Sequence, residues 1–346
     1  MPSTPTLPWS WYVDPAIATR ERLVVFGDAW HYVGHVDEVP LSGFHPVDVA
    51  GVPVVLTQPP DGEVLALVNV CRHRGAIVCE SPGEGRLRCP YHAWTYDLDG
   101  GLVTAPRSDR EPDFDAASHH LPRLPIGRWG PFVFVRPAKD GVPFDDWIDD
   151  TRRRVAEVLD VDALRFLRRT SGDYAANWKV CVENFLECYH CRIAHPAFAK
   201  VIATGPDDYR LVTAQHGSTQ YGPVREGWTG RFDPRGPIGR GQFHVLYPAT
   251  AINIMPGHPN LSIGPVVPTS PTTTHRFLDY FVGPDVDEAW IASMLEFDDR
   301  VGAEDVPLVE SVQRGMEAGV HDHGTLFLDS ESLIAHFGDW VRHRLS

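Results

Sequence analysis

Positive charge is scarce in this chain. Its 346 residues carry 31 Lys and Arg against 46 Asp and Glu, a formal net charge of −15. A nucleic-acid-binding surface is basic, so this balance argues against that class of function. Acidity of this size fits a soluble protein and would complement a basic redox partner. Long apolar runs are missing too. No stretch approaches the length of a membrane-spanning helix. The opening Met1-Pro2-Ser3-Thr4-Pro5-Thr6-Leu7-Pro8-Trp9 has neither the basic n-region nor the apolar h-region of a secretory signal. There is no internal repeat, no low-complexity tract and no clear nucleotide-binding fingerprint. Cysteines number only six. They are Cys71, Cys79, Cys89, Cys181, Cys188 and Cys191, in two clusters around histidines. That distribution suits metal chemistry in a reducing cytoplasm better than a disulfide framework.

The length allows two domains. Asp14-Pro15 ahead of an Ala/Ile/Leu pattern predicts a helical arm over 9–25. From 27 to 138 short β runs alternate with turn signals. Gly51–Leu56 and Val64–Val70, split by Pro59-Pro60-Asp61-Gly62, read as a hairpin. Gly130–Val135 reads as a closing strand, and 137–141 as a boundary. Beyond it the pattern predicts helices at 144–158, 178–195, 286–301, 305–318 and 331–344, and strands at 208–221, 243–255, 261–267 and 273–282. Strands sandwiched by helices in this order suit an α+β domain.

Two loops stand out, Cys71-Arg72-His73 and Cys89-Pro90-Tyr91-His92, with fifteen residues between His73 and Cys89. Each offers one thiolate and one imidazole. A [2Fe–2S] cluster with two Cys on one iron and two His on the other needs this set. A zinc finger usually draws two Cys from one turn and two His from another, and zinc stays open at this point, as do unliganded core residues. Cys79 reads as a small buried hydrophobe. A second constellation lies in Glu187-Cys188-Tyr189-His190-Cys191-Arg192-Ile193-Ala194-His195-Pro196. The two histidines are five positions apart, so an ideal helix would turn them off a common face, and Pro196 places His195 where the helix ends or distorts. Two His and one carboxylate make the Fe(II) site of non-heme oxygenases; buried, hydrogen-bonded histidines are the alternative.

The stretch Cys71-Arg72-His73-Arg74-Gly75 followed by Cys89-Pro90-Tyr91-His92-Ala93-Trp94-Thr95-Tyr96 resembles the Rieske signature of the Rieske non-heme iron oxygenases. Ala93 departs from it, since the family often has Gly there. The spacing of Glu187, His190 and His195 resembles the same family, and Glu304-Asp305-Val306-Pro307 resembles its carboxylate-bearing segment. The resemblance implies Cys71, His73, Cys89 and His92 as cluster ligands. It implies His190, His195 and Asp305 as iron ligands, with Glu304, Asp298 and Glu310 as alternatives for the third and a helix-capping role as the alternative for Asp305. Cys188 and Cys191 are expected to be packing residues. Glu187 matches the bridging acid that joins an iron-binding His of one subunit to a Rieske His of its neighbour. Its being Glu rather than Asp is similar to the branch that includes quaternary-ammonium oxygenases.

The implied fold is α+β. An all-β Rieske [2Fe–2S] domain, residues 37–138, is inserted in an α+β catalytic domain with a central antiparallel sheet flanked by helices. Residues 1–36 form the N-terminal arm of that domain and residues 139–346 its mononuclear iron part. The implied function is the terminal oxygenase, or alpha subunit. It would use O2 to hydroxylate or oxidatively demethylate a small organic substrate at Fe(II). NAD(P)H would act indirectly, through a partner reductase, directly or with a ferredoxin between. A homotrimer in the cytoplasm, with neither nucleic-acid nor membrane partners, completes the picture. The alternatives are an aromatic-ring cis-dihydroxylating dioxygenase and, from another class, a Rieske electron-transfer protein without oxygenase activity. The expected pocket walls are Gln242–Pro248 and Ile252–Met255, where Phe243 and Tyr247 could cage a quaternary ammonium or serve as core.

Overall fold

The computed structural model describes residues 4–346, so Met1, Pro2 and Ser3 of the opening segment lie outside it. Two compact units are present, Phe26–Phe144 and a second that joins the residues up to Val25 to Asp145–Ser346. Every strand pairing among the described residues is antiparallel.

The Phe26–Phe144 unit is a β structure, as expected. A five-stranded sheet holds Gly43–Val49, Val52–Gln58 and Leu65–Val68 at its centre, beside two three-stranded sheets. Strand Val52–Gln58 is buried on both faces, and its period of two sends side chains to two cores. Val54 and Leu56 join a cluster with Val133 and Val135. Val55 joins the opposite cluster with Leu67, Trp94 and Tyr96, which also contains Cys71 and Cys89. The apolar drive that folds this strand therefore also seats the two cysteines.

The second unit is built on a seven-stranded sheet. Its strands are β1 (Arg165–Tyr174), β2 (Arg210–Ala214), β3 (Gly217–Pro223), β4 (Arg240–Leu246), β5 (Thr250–Ile254), β6 (Asn260–Ser270) and β7 (Thr273–Val282). They lie in the order β1-β7-β6-β5-β4-β3-β2. One row of register partners crosses six of them: Gln220, Phe243, Asn253, Ser262, Tyr280 and Arg168. Partners opposite one another share a face, so this row is a continuous strip on one side of the sheet. Asn253 donates to Ser262 at 3.0 Å, and the Arg168 guanidinium lies 4.9 Å over the Tyr280 ring.

Helix α1 (Trp178–Phe185) is capped by Asn177, whose side chain accepts from the Lys179 amide at 2.9 Å. The backbone of Asn177 donates at 2.8 Å to Gln313 on the long helix α4 (Glu288–Glu317). The N-terminal arm holds α1 from its other side. Its helix Pro15–Glu21 starts at the expected Asp14 cap and ends on Glu21. Glu21 accepts from Lys179 Nζ at 2.6 Å and from Trp178 Nε1 at 2.9 Å. Both charged side chains are shut from solvent, at 0% and 2% exposure.

Several boundaries differ from the expected ones. The segment 178–195 is three short helices: α1, α2 (Cys191–Ala194) and α3 (Pro196–Val201). The segments 208–221 and 243–255 are hairpins rather than single strands. The two helices expected at 286–301 and 305–318 are one, since α4 runs through Pro307. Proline there removes one intrahelical hydrogen bond, a local cost that tertiary packing of so long a helix absorbs. Asp305 thus sits inside the helix, where it cannot be the cap of a new one.

Breaking the Glu21–Lys179 pair strands a buried carboxylate. Lys179→Ala is expected to cost about 3–5 kcal/mol in chemical denaturation, and a loss under 1 kcal/mol would show that α1 is held by other contacts.

Candidate metal centres and substrate cavity

The two Cys–His loops share one backbone pattern. In the first, Cys71 N donates to Ala76 O at 2.8 Å and Gly75 N to Cys71 O at 3.0 Å. In the second, Cys89 N donates to Trp94 O at 2.8 Å and Ala93 N to Cys89 O at 3.1 Å. The fourth residue after each Cys is left-handed, Gly75 at φ 76° and Ala93 at φ 59°. Ala93 thus adopts the conformation that glycine takes at no steric cost, which locates the departure from the family pattern in the backbone. Cys71 and Cys89 are buried, and Cys71 Sγ lies 3.3 Å from the Tyr96 hydroxyl. His73 and His92 are exposed, with ring centroids 4.7 Å apart, and His73 stacks on Trp94. Two thiols inside and two imidazoles at the rim fit a cluster with one Cys-bound and one His-bound iron. Cys79 is half-buried against Asn69, and burial pushes its thiol up to about 11, so it is unreactive packing.

In the second unit His190, His195 and Asp305 converge. His195 Nε2 lies 3.0 Å from Asp305 Oδ1 and 3.1 Å from His190 Nε2; His190 Nε2 lies 3.7 Å from the same Oδ1. One ligand atom from each sits within 4.8 Å of the others, the only such group among the described residues. Spacings of about 3 Å are those of neighbouring ligands in an octahedron with bonds of about 2.1 Å. Three open positions would remain, as non-heme Fe(II) chemistry requires. The convergence depends on a chain break: His195 falls between α2 and α3 with φ −120° and ψ 67°, ahead of Pro196.

Each imidazole also has a carboxylate behind it. Glu304 Oε2 lies 2.8 Å from His195 Nδ1, and Glu187 Oε1 contacts His190 Nδ1. Such contacts fix the tautomer that leaves Nε2 free to bind a metal. Burial alone would lower His195, yet the hydrogen bonds and charges of Asp305 and Glu304 hold it above its usual value. Burial alone would raise Asp305, yet His195, Asn184 and His190 hold it below the usual carboxylate range. The site therefore draws positive charge to the point where its donors meet. Asn184 on α1 steadies Asp305 with a hydrogen bond of 2.8 Å.

The other candidates for a third ligand are engaged elsewhere. Asp298 accepts from the Tyr280 hydroxyl, and Glu310 accepts from Ala175 N at 3.2 Å. Glu187 is not on a helix: it follows the end of α1 and folds back to accept from the amides of Tyr189 and His190. Cys188 and Cys191 are not separate packing thiols. They are joined by a disulfide, because the turn around His190 brings their Cα atoms within 4.9 Å. Glu304 and Asn184 were the partners that sequence reasoning did not assign; the only signal for Glu304 was its place beside Asp305.

A cavity of about 90 Å³ opens over the triad. Phe198, Tyr209, Phe243 and Phe297 wall it, with Gln220 and Asn253 from the cross-sheet row. Tyr247 is elsewhere, packed on His336, Phe337 and Trp340. Among the described residues no helix is long and apolar enough to cross a membrane.

Ala93→Gly removes the left-handed penalty and is expected to raise stability by about 1 kcal/mol. A lower thermal midpoint in the variant would show that the loop does not hold this conformation.

Residues 29–124 match the Rieske [2Fe-2S] domain family, and residues 161–346 match the ring hydroxylating alpha subunit (catalytic domain) family. A carnitine monooxygenase oxygenase subunit from Acinetobacter pittii is 30% identical over 96% of this chain and 92% of its own length. A chloroplastic choline monooxygenase from Arabidopsis thaliana is 32% identical over 99% and 83%. A solved quaternary ammonium Rieske monooxygenase superposes with a TM-score of 0.88 at 27% identity, covering 99% of this chain and 96% of the other. A naphthalene 1,2-dioxygenase from Rhodococcus sp. shares the fold at 0.82 and 18% identity, over 98% and 94%. The chain belongs to the ring-hydroxylating alpha-subunit family: it is a Rieske non-heme iron oxygenase, with a [2Fe–2S] cluster and a mononuclear iron as its cofactors.

Proposed function

We propose that this oxygenase hydroxylates or demethylates a quaternary ammonium compound, and that His190, His195 and Asp305 hold its catalytic iron. The observation that carries the reading is the aromatic wall beside the triad. Phe198, Phe243 and Phe297 pack on one another and line a cavity whose lining includes no Lys or Arg, and aromatic rings carry electron-rich faces. A quaternary ammonium is attracted to such faces, and desolvation strengthens the attraction. Relatives that act on carnitine and choline support the substrate class.

Cys71, His73, Cys89 and His92 hold the cluster in a Rieske domain of residues 37–138, and residues 139–346 with the arm 1–36 form the catalytic domain. When bound, the iron activates dioxygen with electrons delivered by the cluster. The rest is the work of the chain. Glu187 fixes His190 and links it to His92 of a neighbouring subunit in a homotrimer. Tyr189 and Ile193, exposed apolar side chains on the same turn, belong to the subunit contact. Glu304 and Asn184 orient His195 and Asp305, and the aromatic wall excludes water from the reacting carbon. Reducing equivalents come from NAD(P)H through a partner reductase, in the cytoplasm.

The reading is tested with a reductase, 18O2, and choline, carnitine or naphthalene. Label in an aldehyde or amino-alcohol product, or release of a demethylated amine, is expected. A cis-diol from naphthalene alone would select ring dihydroxylation. Cluster turnover without any product would select the electron carrier.

Asp305→Ala is expected to keep the cluster's visible absorption and lose mononuclear iron, while Glu304→Ala weakens Fe(II) binding about 10–100-fold. Full iron retention in Asp305→Ala would move the ligand elsewhere. Glu187→Ala should retain both centres and lose most coupled turnover; unchanged turnover would remove the bridge.

A further inference from the structure

Arg276 has no partner. Its strand β7 aims it at the same face of the sheet as Leu278 and Tyr280, toward a cleft of about 260 Å³. Its Nε is sealed from solvent with no acceptor, and no carboxylate lies within ion-pair distance of the guanidinium. The residue as a whole is half-buried, so the rest of its guanidinium stays open to the cleft. Burial alone would lower it, yet the charges of Tyr174, Asp298, Tyr280 and Asp305 hold it above its usual value without any of the acids pairing with it. Asp298 is taken by the Tyr280 hydroxyl, and burial pushes its carboxyl above the usual range. Asp305 Oδ1 is taken by Asn184 and His195.

The space beside Arg276 is open by construction. Its register partner on β1 is Gly172, where an added Cβ would meet nothing within 4 Å. Gly302 on α4 borders the same cleft and is equally open. The cleft adjoins the cavity over the triad: Phe185, Asn253, Asp298, Val301 and Asp305 line both. Aromatic rings line the first space, and a guanidinium without an ion-pair partner lines the second.

We propose that Arg276 is a specificity-determining residue that receives the carboxylate of a zwitterionic substrate, whose trimethylammonium end lies among Phe198, Phe243 and Phe297. This rests on the quaternary-ammonium reading above and narrows it to carboxylated betaines. The planar guanidinium offers paired donors that match a carboxylate, and a neutral alcohol cannot supply the missing charge. The ammonium end alone fits choline as well; the guanidinium separates the two classes.

The test is equilibrium binding by calorimetry and reductase-coupled kinetics on the iron-loaded protein, with L-carnitine and choline as probes. Wild type is expected to bind carnitine more tightly than choline. Arg276→Ala should weaken carnitine binding and raise its KM about 10–100-fold, with kcat within a few-fold and choline unaffected. Arg276→Lys should recover part of the loss. Gly172→Leu, which fills the cleft and leaves the guanidinium in place, should weaken carnitine as well. An unchanged cluster spectrum in each variant reports folding. Wild type that prefers choline, or variants that weaken both probes equally, would overturn the role of Arg276 and leave the ammonium reading standing. Wild type that binds neither would overturn both.

Discussion

The buried ion pair between Glu21 and Lys179 is the joint on which the catalytic unit turns. Helix α1 is only eight residues long, too short to hold its place by helical propensity. It is fixed instead at its first turn, where Glu21 takes the Lys179 ammonium and the Trp178 indole together. From that fixed end the helix delivers Asn184 to Asp305 and launches the turn that carries Glu187 and His190. The charge pair is buried at a large desolvation cost, and what it secures is position. The arm, first in sequence, thereby sets the geometry of residues nearly two hundred positions away.

The same economy governs the two Cys–His loops. Each closes on its own backbone with one pair of hydrogen bonds and one left-handed residue. Apolar packing below holds the cysteines, and the histidines stay at the rim. A bound cluster would therefore have one iron on the buried thiolates and the other on the exposed imidazoles.

Much of this was legible in the sequence. The loops, the His190/His195 pair, the β character of the first unit and the α+β order of the second all rest on short-range patterns. What escaped was set by competition or by long-range pairing. Strand β1 reads Arg-Phe-Leu-Arg-Arg-Thr-Ser-Gly-Asp-Tyr, too polar for an alternation rule, and is a strand only because β7 pairs with it. The helix expected over 178–195 stops at Phe185 because the Glu187 carboxylate satisfies the next amides itself. Pro307 signalled a helix start, but the packing of α4 outweighs one lost hydrogen bond. Cys188 and Cys191 form a C-x-x-C pair, a spacing that signals a possible disulfide and that the packing expectation passed over.

The strip from Gln220 to Arg168 takes one side chain from each of six strands, and register alone brings Gln220, Phe243 and Asn253 of that strip to the cavity over the triad. Neighbours along a strand face the opposite side. Shape and polarity above the metal are therefore written in single positions spread across the chain, with the supporting backbone unaffected by which residue occupies them. A scaffold arranged this way can exchange one substrate for another by small, separate edits, while the His190, His195 and Asp305 cluster at the ends of α2 and on α4 is inherited unchanged.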